Sequence, residues 1–291
     1  MKRMIVALLG LVELLCSGVG EVWAQGAPGS RAQVYSVPTT KTSNAFQVPQ
    51  VKLPDAAVTR RINRLLLRRF RDEIEGEVDS TASPRQQLQQ AVRFCCFDED
   101  TKSWRAGGDG LTDTDYGVLL NQDYLLSLEF INSYRGLLEP YGEHLTFDLR
   151  TGHLLTVSDL VADPPHQLGR RLQAAVSRRL RDKLANAAAV YGDDSARIAR
   201  MAEVYEIATW DTTPQRGQAF DTADGAEASL YNFALTPDAL LLFHPIGMRR
   251  IDFEFLPDDT YIFPWARLQP RPILLPLVQA AAASKKTPKS R

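Results

Sequence analysis

Along this chain, apolar residues recur in some stretches at helical spacing and in others at every second position. Val58, Ile62, Leu65, Leu66, Phe70 and Ile74 predict a helix over 56–75, with Asp55 as its N-cap. Ser83 before Pro84 opens a second, short helix running to about Val92. Ser158-Asp159-Leu160-Val161 reads as a single turn. Asp163-Pro164 then starts a long helix whose buried stripe is Leu168, Leu172, Val176, Leu180 and Leu184. Asp193 or Asp194 caps a further helix, with Ile198, Met201, Ala202 and Tyr205 inward.

The strands show the shorter period. Phe46, Val48 and Val51 form the first, ended by Pro54, and Cys95-Cys96 sit in another, one thiol on each face. Tyr116, Val118 and Leu120 alternate up to a turn at Asn121-Gln122-Asp123, and Tyr124, Leu126, Leu128 and Phe130 continue the pattern. Leu145, Phe147 and Leu149 follow, closed by Arg150-Thr151-Gly152-His153. This predicts an antiparallel meander with one face buried. Late strands are expected at Tyr231/Phe233/Leu235, Leu240–Phe243, Ile251/Phe253/Phe255 and Tyr261–Phe263, with a turn at Pro264–Leu268. Strands, then helices, then strands predict an α+β fold: an antiparallel sheet with helices packed on one face, in a single domain over 45–270. No repeat, heptad run or proline-rich linker divides it.

The ends read differently. Lys2 and Arg3 precede an apolar stretch from Met4 to Cys16, broken by Gly10 and Glu13, and Val22-Trp23-Ala24 supplies small residues for cleavage. Residues 1–24 are expected to be a signal peptide, with an uncleaved anchor as the alternative. Glu13 would be costly in mid-bilayer. Leu15 is too large to precede a lipidated cysteine at Cys16. Residues 25–44, rich in Gly, Ser, Thr and Pro, predict a flexible lead-in, and 271–291 a disordered basic tail ending in Lys285, Lys286, Lys289 and Arg291. The mature protein is expected in the periplasm or outside the cell, with no stable membrane span.

Composition narrows the chemistry. With 44% hydrophobic residues in 291, the chain has material for a large core without disulfides. A net charge of −1 gives no global field toward nucleic acid, and none is expected as a partner. Arg60, Arg61, Arg64, Arg68 and Arg71 line the polar side of the first helix and read as a solvated face. Cleavage removes Cys16 and leaves Cys95 and Cys96, sequence neighbours that bridge only through a strained ring. Their reading is structural, with a redox role as the alternative.

No constellation of reactive residues stands out. The histidines are His144, His153, His166 and His244, none at metal-ligand spacing. Glu143-His144 lacks the second histidine of a zinc motif. Ser127 lies in a strand, without the G-x-S-x-G turn of a hydrolase nucleophile. Asp98-Glu99-Asp100 and Asp258-Asp259 read as solvated turns. Asp109–Asp115 is rich in oxygen ligands but does not fit an EF-hand. No catalytic, cofactor-binding or metal residue is assigned, and no cofactor is expected.

Several phrases carry a family resemblance. They are Ile62-Asn63; Tyr124-Leu125-Leu126-Ser127-Leu128 leading to Gly142-Glu143-His144; and Phe147-Asp148-Leu149-Arg150-Thr151-Gly152. Leu154-Leu155-Thr156-Val157-Ser158-Asp159-Leu160, then Phe233-Ala234-Leu235-Thr236-Pro237-Asp238-Ala239-Leu240 and the Tyr261–Leu268 segment complete them. Spanning roughly 45–270, the chain resembles the extracytoplasmic domain of the RsiV anti-sigma factor, also an accessory part of the PdaC peptidoglycan deacetylase. The resemblance implies an α+β envelope domain that recognises peptidoglycan or a lysozyme-like protein. The chain departs from RsiV in having no cytoplasmic sigma-binding segment, and from PdaC in having no deacetylase domain. A non-catalytic envelope binding module is the reading taken. The alternatives are an envelope hydrolase acting on cell-wall material around His144 or His244, and a structural protein tethered by its basic tail.

Overall fold

The alternation of Leu126, Leu128 and Phe130 fixes the orientation of the central sheet, and everything else packs with respect to it. The computed structural model describes residues 31–38, 46–74, 79, 81–104, 111–134, 140–192, 194–205, 230–246 and 254–284. The expected signal peptide therefore lies outside the described residues. The elements are β1 (Gln33–Pro38), β2 (Gln47–Lys52), α1 (Ala56–Ile74), α2 (Pro84–Cys96), β3 (Phe97–Asp98), β4 (Ser103–Trp104), β5 (Leu111–Gln122), β6 (Leu125–Tyr134), β7 (Tyr141–Asp148) and β8 (His153–Leu154). They continue with α3 (Val157–Leu160), α4 (Pro165–Val190), α5 (Ser195–Val204), β9 (Phe233–Leu235), β10 (Ala239–Phe243), β11 (Thr260–Pro264) and α6 (Leu275–Ser284). The fold is α+β, as the order of elements predicts.

β5, β6, β7 and β8 form an antiparallel meander in that order. Its first hairpin turns on Asp123 and Tyr124, at φ 52° and 66°; positive φ at both central residues suits the right-handed twist of the strands. Leu126, Leu128, Phe130, Leu145 and Phe147 face α1 and pack on Val58, Ile62 and Leu66. The expected N-cap is present: Asp55 Oδ1 accepts from the amides of Ala57 and Val58 at 2.7 and 3.1 Å.

Within the meander, β6 and β7 are buried on both faces rather than one, while much of β5 and both residues of β8 face solvent. Leu125 and Leu120 belong to a second core with α4, β9, β10 and β11. β9, β10 and β11 make a separate antiparallel sheet, ordered β11-β10-β9. One of its faces, with Leu240, Leu242, Tyr261 and Phe263, shares a core with the α4 stripe Leu168, Leu172, Val176, Leu180 and Leu184. Arg179 and Arg171 of α4 lie over the rings of Tyr261 and Phe263, at 4.0 and 5.4 Å from the centroids. Ser127 joins the two sheets: its Oγ accepts from the amide of Leu235 at 3.0 Å and shares a hydrogen bond with Thr146 Oγ1.

Several expectations need correction. Gln33–Pro38, within the expected flexible lead-in, pairs antiparallel with β2. The resulting ribbon is tied to β5, where Asn121 brackets Ala32 with both amide atoms. Hydrogen bonding to a distant partner decides this, and composition does not report it. Cys95 and Cys96 close α2 instead of forming a strand; the amide of Phe97 bonds back to Arg93 O and carries the helix past them. The polar stretch after them contains a short hairpin of β3 and β4. Phe255 lies in a helical turn and not a strand, while Ile251 and Phe253 are outside the described residues. Leu275–Ser284, inside the expected disordered tail, is helical, and Leu277 is fully buried. Among the described residues, no helix is long and apolar enough to cross a membrane.

Candidate functional site

A groove opens beside β7, where β8 pairs only with Phe147 and Asp148 and leaves Tyr141–Leu145 along the rim. It holds about 390 Å³. Tyr141 and Leu154 stand on one side at 47% and 38% exposure, and Tyr231, just before β9, on the other at 80%. Arg69 reaches across from α1 to Glu143 at 3.3 Å. Exposed aromatic and apolar side chains beside a charged pair give a surface for stacking and for directional polar contacts.

The floor of the groove is a polar chain that sequence reading did not assemble. His144 is buried, and its Nδ1 lies 2.8 Å from Asn232 Oδ1. The Asn232 Nδ2 donates to the carbonyl of Gly142 at 3.4 Å, which sets the amide orientation and makes Oδ1 the acceptor. Nδ1 therefore carries the proton. Nε2 faces Glu129 Oε1 at 3.5 Å and has no hydrogen-bond partner. The proximity of an acid argues for imidazolium, but burial dominates. It lowers the pKa of His144 against the opposing pull of the Asn232 bond and of the Glu129 and Asp259 charges. The contact with Glu129 is thus not a formed ion pair at neutral pH. Room for the carboxylate comes from Gly117 and Gly142: a Cβ at either would approach a Glu129 oxygen to 3.4 Å.

The remaining candidates scatter. His244 follows β10; burial lowers its pKa, with Asp259 opposing. His153 lies on the other side of the meander, its Nε2 3.2 Å from Arg61 Nη1. His166 is exposed near the start of α4. The structure brings His144 and His244 within the influence of one acid, Asp259, and does not add His153 to them. Ser127 is fully buried, and its hydroxyl bonds the amide of Leu235 and the hydroxyl of Thr146 rather than a histidine. Asp258 pairs with Arg179, and Glu99 with Arg93 and Lys102. Asp113 is pushed up by burial and by Asp115, while Asp109 lies outside the described residues. Among the described residues, no three His, Cys, Asp or Glu side chains are set to hold a metal ion.

Asn232, Glu129 and Arg69 were not singled out from sequence, and Tyr231, expected to open a strand, lies instead in the turn before β9 with its ring exposed. One signal was present: Ser127 and Glu129 alternate with apolar Leu126, Leu128 and Phe130, a polar second face within a strand flanked by strands.

Comparison with protein-family models gives no match, and comparison with curated proteins gives none. Solved structures similar to this chain include two members of the DUF3298 family. The crystal structure from Pseudomonas aeruginosa PAO1 shares 13% identity, covers 84% of this chain and 93% of its own, and has a TM-score of 0.39. That from Bacteroides fragilis NCTC 9343 shares 14% identity, covers 87% of this chain and 99% of its own, and has a TM-score of 0.43.

Proposed function

We propose that this chain is an exported, non-catalytic binding module of the bacterial cell envelope, and that the groove beside β7 receives peptidoglycan or a lysozyme-like protein. The observation that carries the reading is the pair of exposed tyrosines, Tyr141 and Tyr231, flanking an open groove with the Arg69–Glu143 pair at its rim. Tyrosine supplies contact area at low entropic cost and is enriched where binding energy concentrates. The leader at 1–24 supports export. Catalysis on an external substrate is disfavoured by the burial of His144, whose side chain is 3% exposed, and by its being wedged against Phe243.

The test is co-sedimentation with purified sacculi and pull-down with lysozyme. The intact mature chain is compared with a Tyr141→Ala/Tyr231→Ala variant. Binding to either material, weakened about tenfold or more in the variant, is the expected result. Binding to neither, or equal binding by both proteins, overturns the proposal. Export is checked separately by N-terminal sequencing of the native protein, which should begin at Gln25.

A further inference from the structure

The exposed side of α1 carries Arg60, Arg64 and Arg68 at four-residue intervals, with Arg61 beside them, and all four are exposed. They border a second concavity of about 390 Å³, formed with Ala57 and Leu65. One helical turn separates successive members, so the charges stand about 6 Å apart in a row. Like charges at this spacing oppose helix formation. Arg60, Arg61 and Arg64 have no acidic residue three or four positions away; Arg68 has one, Asp72. Asp55, at the start of the row, has its Oδ1 committed to the amides of Ala57 and Val58.

Arginines elsewhere are clamped onto carboxylates: Arg93 on Glu99, Arg150 on Asp148, Arg171 on Asp163, Arg179 on Asp258 and Arg197 on Glu254. Among the described residues, Arg60, Arg64 and Arg68 make no ion pair. Arg61 is instead fixed by the carbonyl of Thr151 at 2.7 Å and by His153. The other side of α1 is held against the meander through Val58, Ile62 and Leu66, so the row is presented outward on a rigid support.

We infer that this row is a binding site for a linear phosphodiester polyanion without bases, of the glycerol-phosphate type. Guanidinium groups grip phosphate through paired N–H donors, and a straight row at this interval matches the successive charges of an extended phosphodiester chain. A lipid surface fits less well. Interfacial helices insert large apolar side chains, and among the described residues none of the exposed large hydrophobic side chains lies on α1. Nucleic acid fits less well too, because single strands are held by stacking on aromatic rings and, among the described residues, none lines the concavity. This site is separate from the groove beside β7, and either can fail without the other.

The test is fluorescence anisotropy of labelled poly(glycerol phosphate) with the mature chain, at a series of salt concentrations. Arg60→Gln/Arg64→Gln/Arg68→Gln is expected to weaken binding about a hundredfold. It should also flatten the log–log salt dependence by about two units, as loss of three phosphate contacts requires. Arg170→Gln/Arg178→Gln/Arg181→Gln on α4 removes the same charge and should bind within about twofold of the parent. Relief of repulsion should leave the α1 variant melting no lower than the parent. Equal weakening by both variants, no binding at low salt, a lower melting temperature of the α1 variant, or tighter binding of single-stranded DNA or anionic vesicles than of the polymer overturns the inference.

Discussion

The imidazole of His144 lies flat on the ring of Phe243, centroids 3.6 Å apart and planes 8° from parallel. This stack brings β7 of one sheet against β10 of the other, and Asn232 locks the ring in its plane from the side. A cationic ring here would sit between a phenyl face and a carboxylate, with little access to water. Burial is the larger influence, and it favours the neutral ring.

Stability should therefore fall on the acid side. His144 and His244 both have folded-state pKa values below the ordinary histidine value of 6.5. The unfolded chain takes up protons that the folded chain resists, so their stabilisation is full above that value and is lost as pH falls through the folded-state values. Thermal melting between pH 7.5 and 5 is expected to show the loss, and His144→Phe should reduce it. At pH 7.5 the variant should cost about 1–3 kcal/mol, because Asn232 is left without its donor.

Ser127→Ala leaves the buried amide of Leu235 unpaired and removes a partner of Thr146 Oγ1. The expected loss is about 1–3 kcal/mol in urea unfolding, from a change no larger than one oxygen atom. A loss below 0.5 kcal/mol, on the order of a surface substitution, would show that the hydroxyl does not join the sheets.

Gly152 takes φ +72°, and a Cβ there would approach the Val58 carbonyl to 3.2 Å and Arg61 Cδ to 3.3 Å. Gly152→Ala should destabilise by about 1–3 kcal/mol through both backbone strain and crowding of α1. Gly117→Ala serves as the comparison. It meets only the Glu129 side chain, at 3.4 Å or more, and should cost less.

Asn63 acts as a strand partner supplied by a helix. Its Oδ1 accepts from the amide of Val51 at 2.7 Å, and its Nδ2 donates to the carbonyl of the same residue at 2.9 Å. Val51 is fully buried, so Asn63→Ala should cost about 2–6 kcal/mol in chemical denaturation, the sum of two orphaned backbone groups.

Hydrophobic periodicity was enough to place α1, α4, α5, β6, β7, β10 and β11, because each buries a stripe or face that the sequence repeats. Local capping was legible for the same reason: Asp55, Ser83 and Asp194 bond amides within a few residues of themselves. The errors fall where distant partners decide. β1 forms because β2 and Asn121 satisfy its neighbourhood from far along the chain. α6 forms at the edge of the second core, with Leu274 and Leu277 buried in it. The groove was illegible because it joins Arg69, Glu143, His144 and Tyr231 from three separate stretches, and no spacing rule links them.

Adjacent residues of β6 serve different masters: Leu125 feeds the core under α4, and Leu126 the core under α1. A single strand is thus the party wall of two rooms. No cut in the chain yields a half that keeps its own wall, so removing either the N-terminal ribbon and α1 or the C-terminal strands should bare the opposite side of β6 and promote aggregation instead of leaving a stable fragment.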